Sequence, residues 1–217
     1  MGYKRWFDLT IIVLSHLIFA PLFCALWIGI PLLILLTDGR PILFTQERVG
    51  KNGKKFKAYK FRTMVKNARE VGPSYTIEND PRVLPVIGKL LRSTGLDELP
   101  QLINILKGEL SFVGPRPLPV EDYEQCVMIP GFKEREKILP GLTGLAQLYA
   151  DRLSWESWLI YDKIYEQKMS PLLDLEILVL SVLVTLTRRW DQRGARIPLP
   201  GFNLVKRAIE EATQFSE

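Results

Sequence analysis

The strongest constraint on this chain is an uncharged, apolar run over residues 9–37, interrupted by Pro21 and again by Pro31. As one straight helix rising about 1.5 Å per residue it would measure roughly 40 Å, more than the roughly 30 Å hydrocarbon core of a bilayer. Proline removes a backbone hydrogen bond and clashes one turn back, so the run is expected to break at Ala20-Pro21 into two arms, each short for a crossing. Lys4 and Arg5 precede the run, and Arg40, Arg48, Lys51, Lys54, Lys55, Lys57 and Lys60 follow it. A single span should carry its positive charge on one side. Two basic flanks therefore predict a re-entrant hairpin that enters and leaves by the cytoplasmic face, with a kinked span as the alternative. The run is too long for a cleaved signal and lacks a small-x-small site before Asp38, and bulky Phe23 precedes Cys24 where a lipoprotein anchor needs a small residue. His16, the single histidine, is expected as a packed imidazole bonded to a backbone carbonyl.

Of 217 residues 47% are hydrophobic, enough to give one soluble domain a core once the membrane element is set aside. The expected division is a membrane hairpin over residues 1–40, a cytoplasmic domain over 41–188, the part that would carry any chemistry, and a C-terminal tail over 189–217. Cys24 and Cys126 offer neither a disulfide framework nor a metal cluster, which fits a reducing compartment. A net charge of +5 and a pI near 9.2 admit anionic lipid or nucleic acid as partners. The excess is densest over residues 40–69, beside the membrane element, and no zinc finger, helix-turn-helix or RNA-recognition signature accompanies it. That favours headgroups or an anionic small substrate over nucleic acid.

Residues 41–48 and 56–64 are short β-prone runs around Gly50-Lys51-Asn52-Gly53, a strong hairpin signal. Residues 65–85 carry Gly72-Pro73 and Asp80-Pro81 and read as an irregular connection. Leu99, Leu102, Ile103, Leu106 and Leu110 follow a helical period, with Pro100 in the first turn. Residues 111–119 and 139–144 read as loops, 121–137 as a charged surface helix, and 155–169 and 172–186 as two more helices. For the last, an interfacial helix dipping into lipid and a buried core helix both stay open. The fold class is α+β, with a β-hairpin, several helices including interfacial amphipathic ones, and long ordered loops.

Asp97-Glu98 falls at the predicted start of the 99–110 helix, where free amides and the helix dipole favour negative charge and keep an aspartate ionised. Such a carboxylate is a competent nucleophile or magnesium ligand, or else simply a helix cap. Arg92, and Arg116 on a stiff Pro-Arg-Pro loop, suit bidentate phosphate binding. These residues alone describe a membrane-bound enzyme that handles phosphate. The alternative class is a membrane-surface adaptor that binds anionic lipid and a protein partner.

Several longer motifs carry a resemblance: Phe44-Thr45-Gln46-x-Arg48-x-Gly50, Tyr59-Lys60-Phe61-Arg62-Thr63-Met64, Arg92-x-x-x-Leu96-Asp97-Glu98-Leu99-Pro100-Gln101, Ser111-Phe112-Val113-Gly114-Pro115-Arg116-Pro117, and Pro140-Gly141-x-Thr143-Gly144-x-Ala146-Gln147. Over about residues 4–188 the chain resembles the bacterial sugar transferases, the monotopic phosphoglycosyl transferases, and among them the small members without an added N-terminal bundle. The resemblance implies transfer of a sugar 1-phosphate from a UDP-sugar to a polyprenol phosphate such as undecaprenyl phosphate, with release of UMP, as the first membrane step of a glycan such as an exopolysaccharide. It implies Asp97 as nucleophile in a ping-pong reaction, Glu98 as its partner, Mg2+ held by Asp97 and Glu98, and Arg92, Arg116, Gln147, Arg152, Asp162 and Arg62 as substrate-binding residues. It also implies a place on the bacterial inner membrane with the catalytic domain on the cytoplasmic face. A homodimer stays open. The family often has Ser-Pro where this chain has Ala20-Pro21, and Asn-Gly-Arg where this chain continues from Gln147 with Leu148-Tyr149-Ala150-Asp151-Arg152, so the identity of the sugar is open too.

Overall fold

The computed structural model describes residues 2–68, 70–72, 80–151, 154–187 and 201–214. The apolar run forms two helices, α1 (Tyr3–Ile18) and α2 (Ala20–Asp38), with Phe19 between them at φ −109° and ψ 34°. The break thus falls one residue before Ala20-Pro21. Proline in a first helical turn has no intrahelical bond to lose, so Pro21 opens α2 rather than interrupting a longer helix. His16 Nδ1 lies 2.8 Å from the Ile12 carbonyl oxygen, and its ring stacks on Phe23 at 3.8 Å between centroids. Seven residues of straight helix would separate those two positions by about 10 Å along the axis, so the stacked rings mark the inside of a bend. α2 is the one helix among the described residues long and apolar enough to cross a bilayer, and little of it is buried.

The hairpin follows as β1 (Leu43–Val49) and β2 (Lys55–Phe61). Its turn uses Asn52 at φ 57° and Gly53 at φ 72°, the left-handed pair that Asn-Gly supplies most readily. Further along come α3 (Ile87–Thr94), α4 (Gln101–Lys107), β3 (Ser111–Val113), α5 (Val120–Cys126), β4 (Gly141–Thr143), α6 (Leu145–Tyr149), α7 (Trp155–Lys168), α8 (Pro171–Leu186) and α9 (Asn203–Gln214). The chain packs as two units. One comprises Ile11–Thr45 and Tyr59–Ile103, the other Met1–Thr10, Gln46–Ala58 and Asn104–Glu217.

In the first unit, hereafter the carboxylate unit, α2 and α3 close over Phe61. Ile30, Ile34, Phe61, Leu84, Ile87 and Leu91 form its core, with Leu96 and Leu99 packed against it. The apolar helix is therefore tied to folded protein at its C-terminal half, and Ile34 is fully buried. Just beyond it, Arg62 ion-pairs with Asp38 and donates to the carbonyls of Gly39 at 2.8 Å and Pro41 at 2.5 Å.

The second unit, hereafter the arginine-loop unit, contains two strands where loops were expected. β3 and β4 pair in parallel, Ser111 with Gly141 and Val113 with Thr143. Three-residue strands are too short to show an alternation, and the glycines at their ends are what let them meet: a Cβ on Gly141, the first residue of β4, would collide with the Gly114 nitrogen, and one on Gly114, just after β3, with the Leu139 oxygen. The surface helix expected over 121–137 is shorter for a similar reason. It ends as α5 at Cys126, and Gly131 at φ 79° turns the chain into a 3-10 segment, Phe132–Lys137.

Lys4 does not face lipid headgroups. Its ammonium is buried, donating to the Val113 carbonyl at 2.5 Å and lying 2.7 Å from Asp174, which also accepts from the hydroxyls of Tyr165 at 2.6 Å and Tyr3 at 3.0 Å. Arg5 donates to the carbonyls of Ile105 and Leu106, each at 2.5 Å, at the C-terminal end of α4. Both cations before the apolar run are thus committed to protein. α8 is a core helix on one face only. Leu173, Ile177, Leu180 and Val184 face the core, while Leu172, Leu175, Val179, Val182, Leu183 and Leu186 are exposed. Within residues 189–217, α9 packs on α7 and α8, and the Glu176 carboxylate accepts from the amides of Leu204 at 3.1 Å and Val205 at 2.9 Å at its first turn.

Candidate active site

Gly95, at φ 70°, ends α3 in the left-handed conformation and starts a single 3-10 turn, Leu96–Glu98. The two leucines that bracket the carboxylates, Leu96 and Leu99, pack against the core. Asp97 is consequently only 9% exposed. Glu98 is ion-paired with Lys60, and Arg92, one turn back on α3, approaches Thr63 Oγ1 at 3.5 Å. Burial pushes the Asp97 carboxyl up to about 6, with Lys60 and Arg92 pulling it back and Glu98 adding to the rise. The sequence argument for ionisation rested on a helix N-terminus, but Asp97 sits in its own turn and α4 begins only at Gln101. Cationic neighbours, rather than a helix dipole, limit the rise. Above pH 6 the carboxylate is mostly ionised and therefore nucleophilic.

In the arginine-loop unit, the chain leaving β3 presents Arg116 between two prolines. Arg116 Nη1 donates to Gln147 Oε1 at 3.0 Å. That bond fixes the orientation of the amide, and its other end, Nε2, is buried without a partner among the described residues. The loop is braced from behind: Arg135 donates from Nη2 to the Arg116 carbonyl at 3.0 Å, and Arg48 from Nη1 to the Pro117 carbonyl at 3.0 Å. Arg116 and Arg135, with Tyr123, Phe132 and Glu136, line a small, shallow cleft.

The residues singled out in the sequence thus fall into three groups. Asp97, Glu98 and Arg92 come together in the carboxylate unit, and Arg116 and Gln147 in the arginine-loop unit. Arg62 and Asp162 hold protein instead. Arg62 is committed to Asp38 and nearby carbonyls, and Asp162 lies 3.0 Å from Arg135, both side chains buried. Burial raises the Asp162 carboxyl to about 6, with Arg135 opposing. Arg152 lies outside the described residues. Two cations were given no role in the sequence: Lys60, counted in a basic run and standing in the Tyr59–Met64 motif, and Arg135, within a segment read as surface helix. β2 alternation held a clue to the first, since it puts Lys60 on the same face as buried Phe56 and Ala58 rather than among solvated lysines.

Residues 1–188 match the family model described as bacterial sugar transferase. The chain is 38% identical over 190 residues to the exopolysaccharide production protein ExoY of Sinorhizobium fredii, covering 80% of this chain and 81% of that protein. It is 36% identical over 179 residues to the undecaprenyl-phosphate galactose phosphotransferase of Salmonella typhimurium, covering 72% of this chain and 36% of that one. To the UDP-glucose:undecaprenyl-phosphate glucose-1-phosphate transferase of Escherichia coli it is 38% identical over 186 residues, covering 82% and 39%. The chain therefore spans little more than a third of the length of the last two relatives. The motifs shared in order, the helix-break-helix and the extent of these matches lead to one conclusion: the chain belongs to the bacterial sugar transferase family.

Proposed function

We propose that this protein transfers a sugar 1-phosphate from a UDP-sugar to a polyprenol phosphate in two displacements through Asp97. A carboxylate oxygen of Asp97 attacks the sugar-bearing phosphorus, the bond from that phosphorus to the UMP oxygen breaks, and UMP leaves. A phosphate oxygen of the polyprenol phosphate then attacks the same phosphorus, the aspartyl–phosphorus bond breaks, and the carboxylate is restored with a polyprenyl-diphosphate sugar as product. The observation that carries this reading is the Asp97 turn, an ionisable carboxylate buried beside two cations rather than spent on capping a helix. The names of the Salmonella and Escherichia relatives, both of which specify undecaprenyl phosphate, support the choice of acceptor.

Arg92 and Arg116 are read as phosphate-binding groups. The unpartnered Gln147 amide is read as a donor for an oxygen of the donor substrate, since a buried donor left unsatisfied costs about 1–3 kcal/mol. Arg62 and Asp162 are read as structural. No group of three or more acidic, histidine or cysteine residues gathers among the described residues. Magnesium fits two carboxylates nonetheless, because it takes its remaining ligands from water and substrate phosphates. Held by Asp97 and Glu98, it would neutralise charge developing on the leaving phosphate.

The acceptor is lipid-borne, and we read α1 and α2 as a hairpin re-entering the cytoplasmic face of the inner membrane. Both flanks of the apolar run support this, for Lys4 pairs with Asp174 and Asp38 with Arg62, each tying a flank to chain that follows the run. The exposed aliphatic face of α8 is read as resting in the same interface. A panel of UDP-sugars, read by UMP release and by intact mass, tests the chemistry. The productive UDP-sugar adds one phosphosugar mass to the protein before acceptor is supplied, and absence of UMP release across the panel refutes the proposal.

A further inference from the structure

Lys60 sits on the last turn of alternation in β2, and its ammonium is ion-paired with the Glu98 carboxylate across 38 residues of sequence. The side chains of the pair are 18% and 23% exposed, so a water-borne ligand can reach them. The pair is partly buried, so it separates at lower cost than a fully sealed pair would. The charges in this turn, Lys60 and Arg92 against Asp97 and Glu98, cancel before any ligand arrives. A diphosphate brings at least two further negative charges, and cations fixed beside the attacking oxygen are the means of accepting them. An ammonium is a compact point charge with three rotatable donors, so replacing a carboxylate oxygen by a phosphoryl oxygen needs no change in its geometry.

We infer that Lys60 is a substrate-contacting residue, which exchanges the Glu98 carboxylate for an oxygen of the diphosphate that reaches Asp97. The inference rests on Asp97 as the phosphoryl acceptor and adds the cation that receives the donor there. Glu98 then serves as a holder, keeping the ammonium beside Asp97 until the diphosphate arrives.

UDP binding to the full-length protein in lipid nanodiscs, measured with magnesium and again in EDTA, tests it with three variants. Lys60→Met should weaken UDP about tenfold or more in EDTA, and Lys60→Arg, which keeps the charge, should stay within about threefold of wild type. Glu98→Gln releases the ammonium and should tighten UDP in EDTA. A mere strut predicts otherwise: Lys60→Met and Glu98→Gln would weaken binding alike, and that result overturns the inference. So does a Lys60→Met protein that binds UDP as wild type does. Wild-type protein that binds no UDP under either condition overturns both this inference and the reading of Asp97, whereas failure confined to the Lys60 variants leaves Asp97 standing.

Discussion

The Asp97 turn and the support behind Arg116 each contain a cation paired with a carboxylate, and they differ in how far water reaches the pair. Lys60 and Glu98 have side chains 18% and 23% exposed, Arg135 and Asp162 only 6% and 4%. A pair that water reaches in part separates at lower cost than a sealed one and suits groups that must change partners. A sealed pair is a brace, because removing either member strands a charge that was already stripped of water. In the carboxylate unit the cations therefore shift the titration of a buried carboxyl, whereas in the arginine-loop unit Arg135, itself paired with Asp162, donates to the Arg116 carbonyl and braces the loop.

The largest effect that bears on this contrast is at Asp97. Asp97→Asn should lower UMP release by about a thousandfold or more, while its melting temperature at pH 7 rises, since the amide removes a charge that burial disfavours. Wild-type turnover in this variant would remove the nucleophile. Next comes the sealed pair. Asp162→Ala should cost about 3–5 kcal/mol of stability in thermal or denaturant unfolding, against about 1 kcal/mol or less for Lys60→Ala, and equal losses would erase the distinction. Arg116→Lys should cost roughly tenfold in kcat/KM with the fold intact, because a point charge cannot both hold Gln147 and face a phosphate as a planar fork does.

The smallest effect is the dependence on pH. With the Asp97 carboxyl raised to about 6, turnover should fall as pH drops through that value, and Lys60→Met should move the acid limb upward because Lys60 lowers the pKa of Asp97. Stability runs the other way. Both raised carboxyls, Asp97 and Asp162, favour the protonated folded state, so their contribution is full below about pH 4 and is lost as pH rises through about 6. A pH–rate profile and a series of melting curves over pH 4–8 read the two separately.

Much of this architecture was legible along the chain because its causes are local. An apolar run with a proline near its middle, an Asn-Gly turn between β-prone runs, and a stiff Pro-Arg-Pro loop each act within a few residues, and each appears in the structure near its expected position. The parallel pairing of β3 with β4 was not legible, since its partners lie 30 residues apart and its glycines encode close approach rather than alternation. Nor were the roles of the arginines. Arg62 and Arg116 sit in equally distinctive motifs, yet one guanidinium is consumed by Asp38 and backbone carbonyls and the other lines a cleft.

The order of residues was sufficient to establish the apolar helix-break-helix, the adjacent carboxylates and the family, because short-range sterics and motif chemistry carry that information. Tertiary packing alone decided that Lys4 is buried against Asp174, that burial raises the Asp97 carboxyl to about 6, and that Lys60 and Arg135 pair with Glu98 and Asp162. The physical reason is that desolvation and ion pairing depend on which groups meet across long stretches of chain, and no local pattern records those meetings.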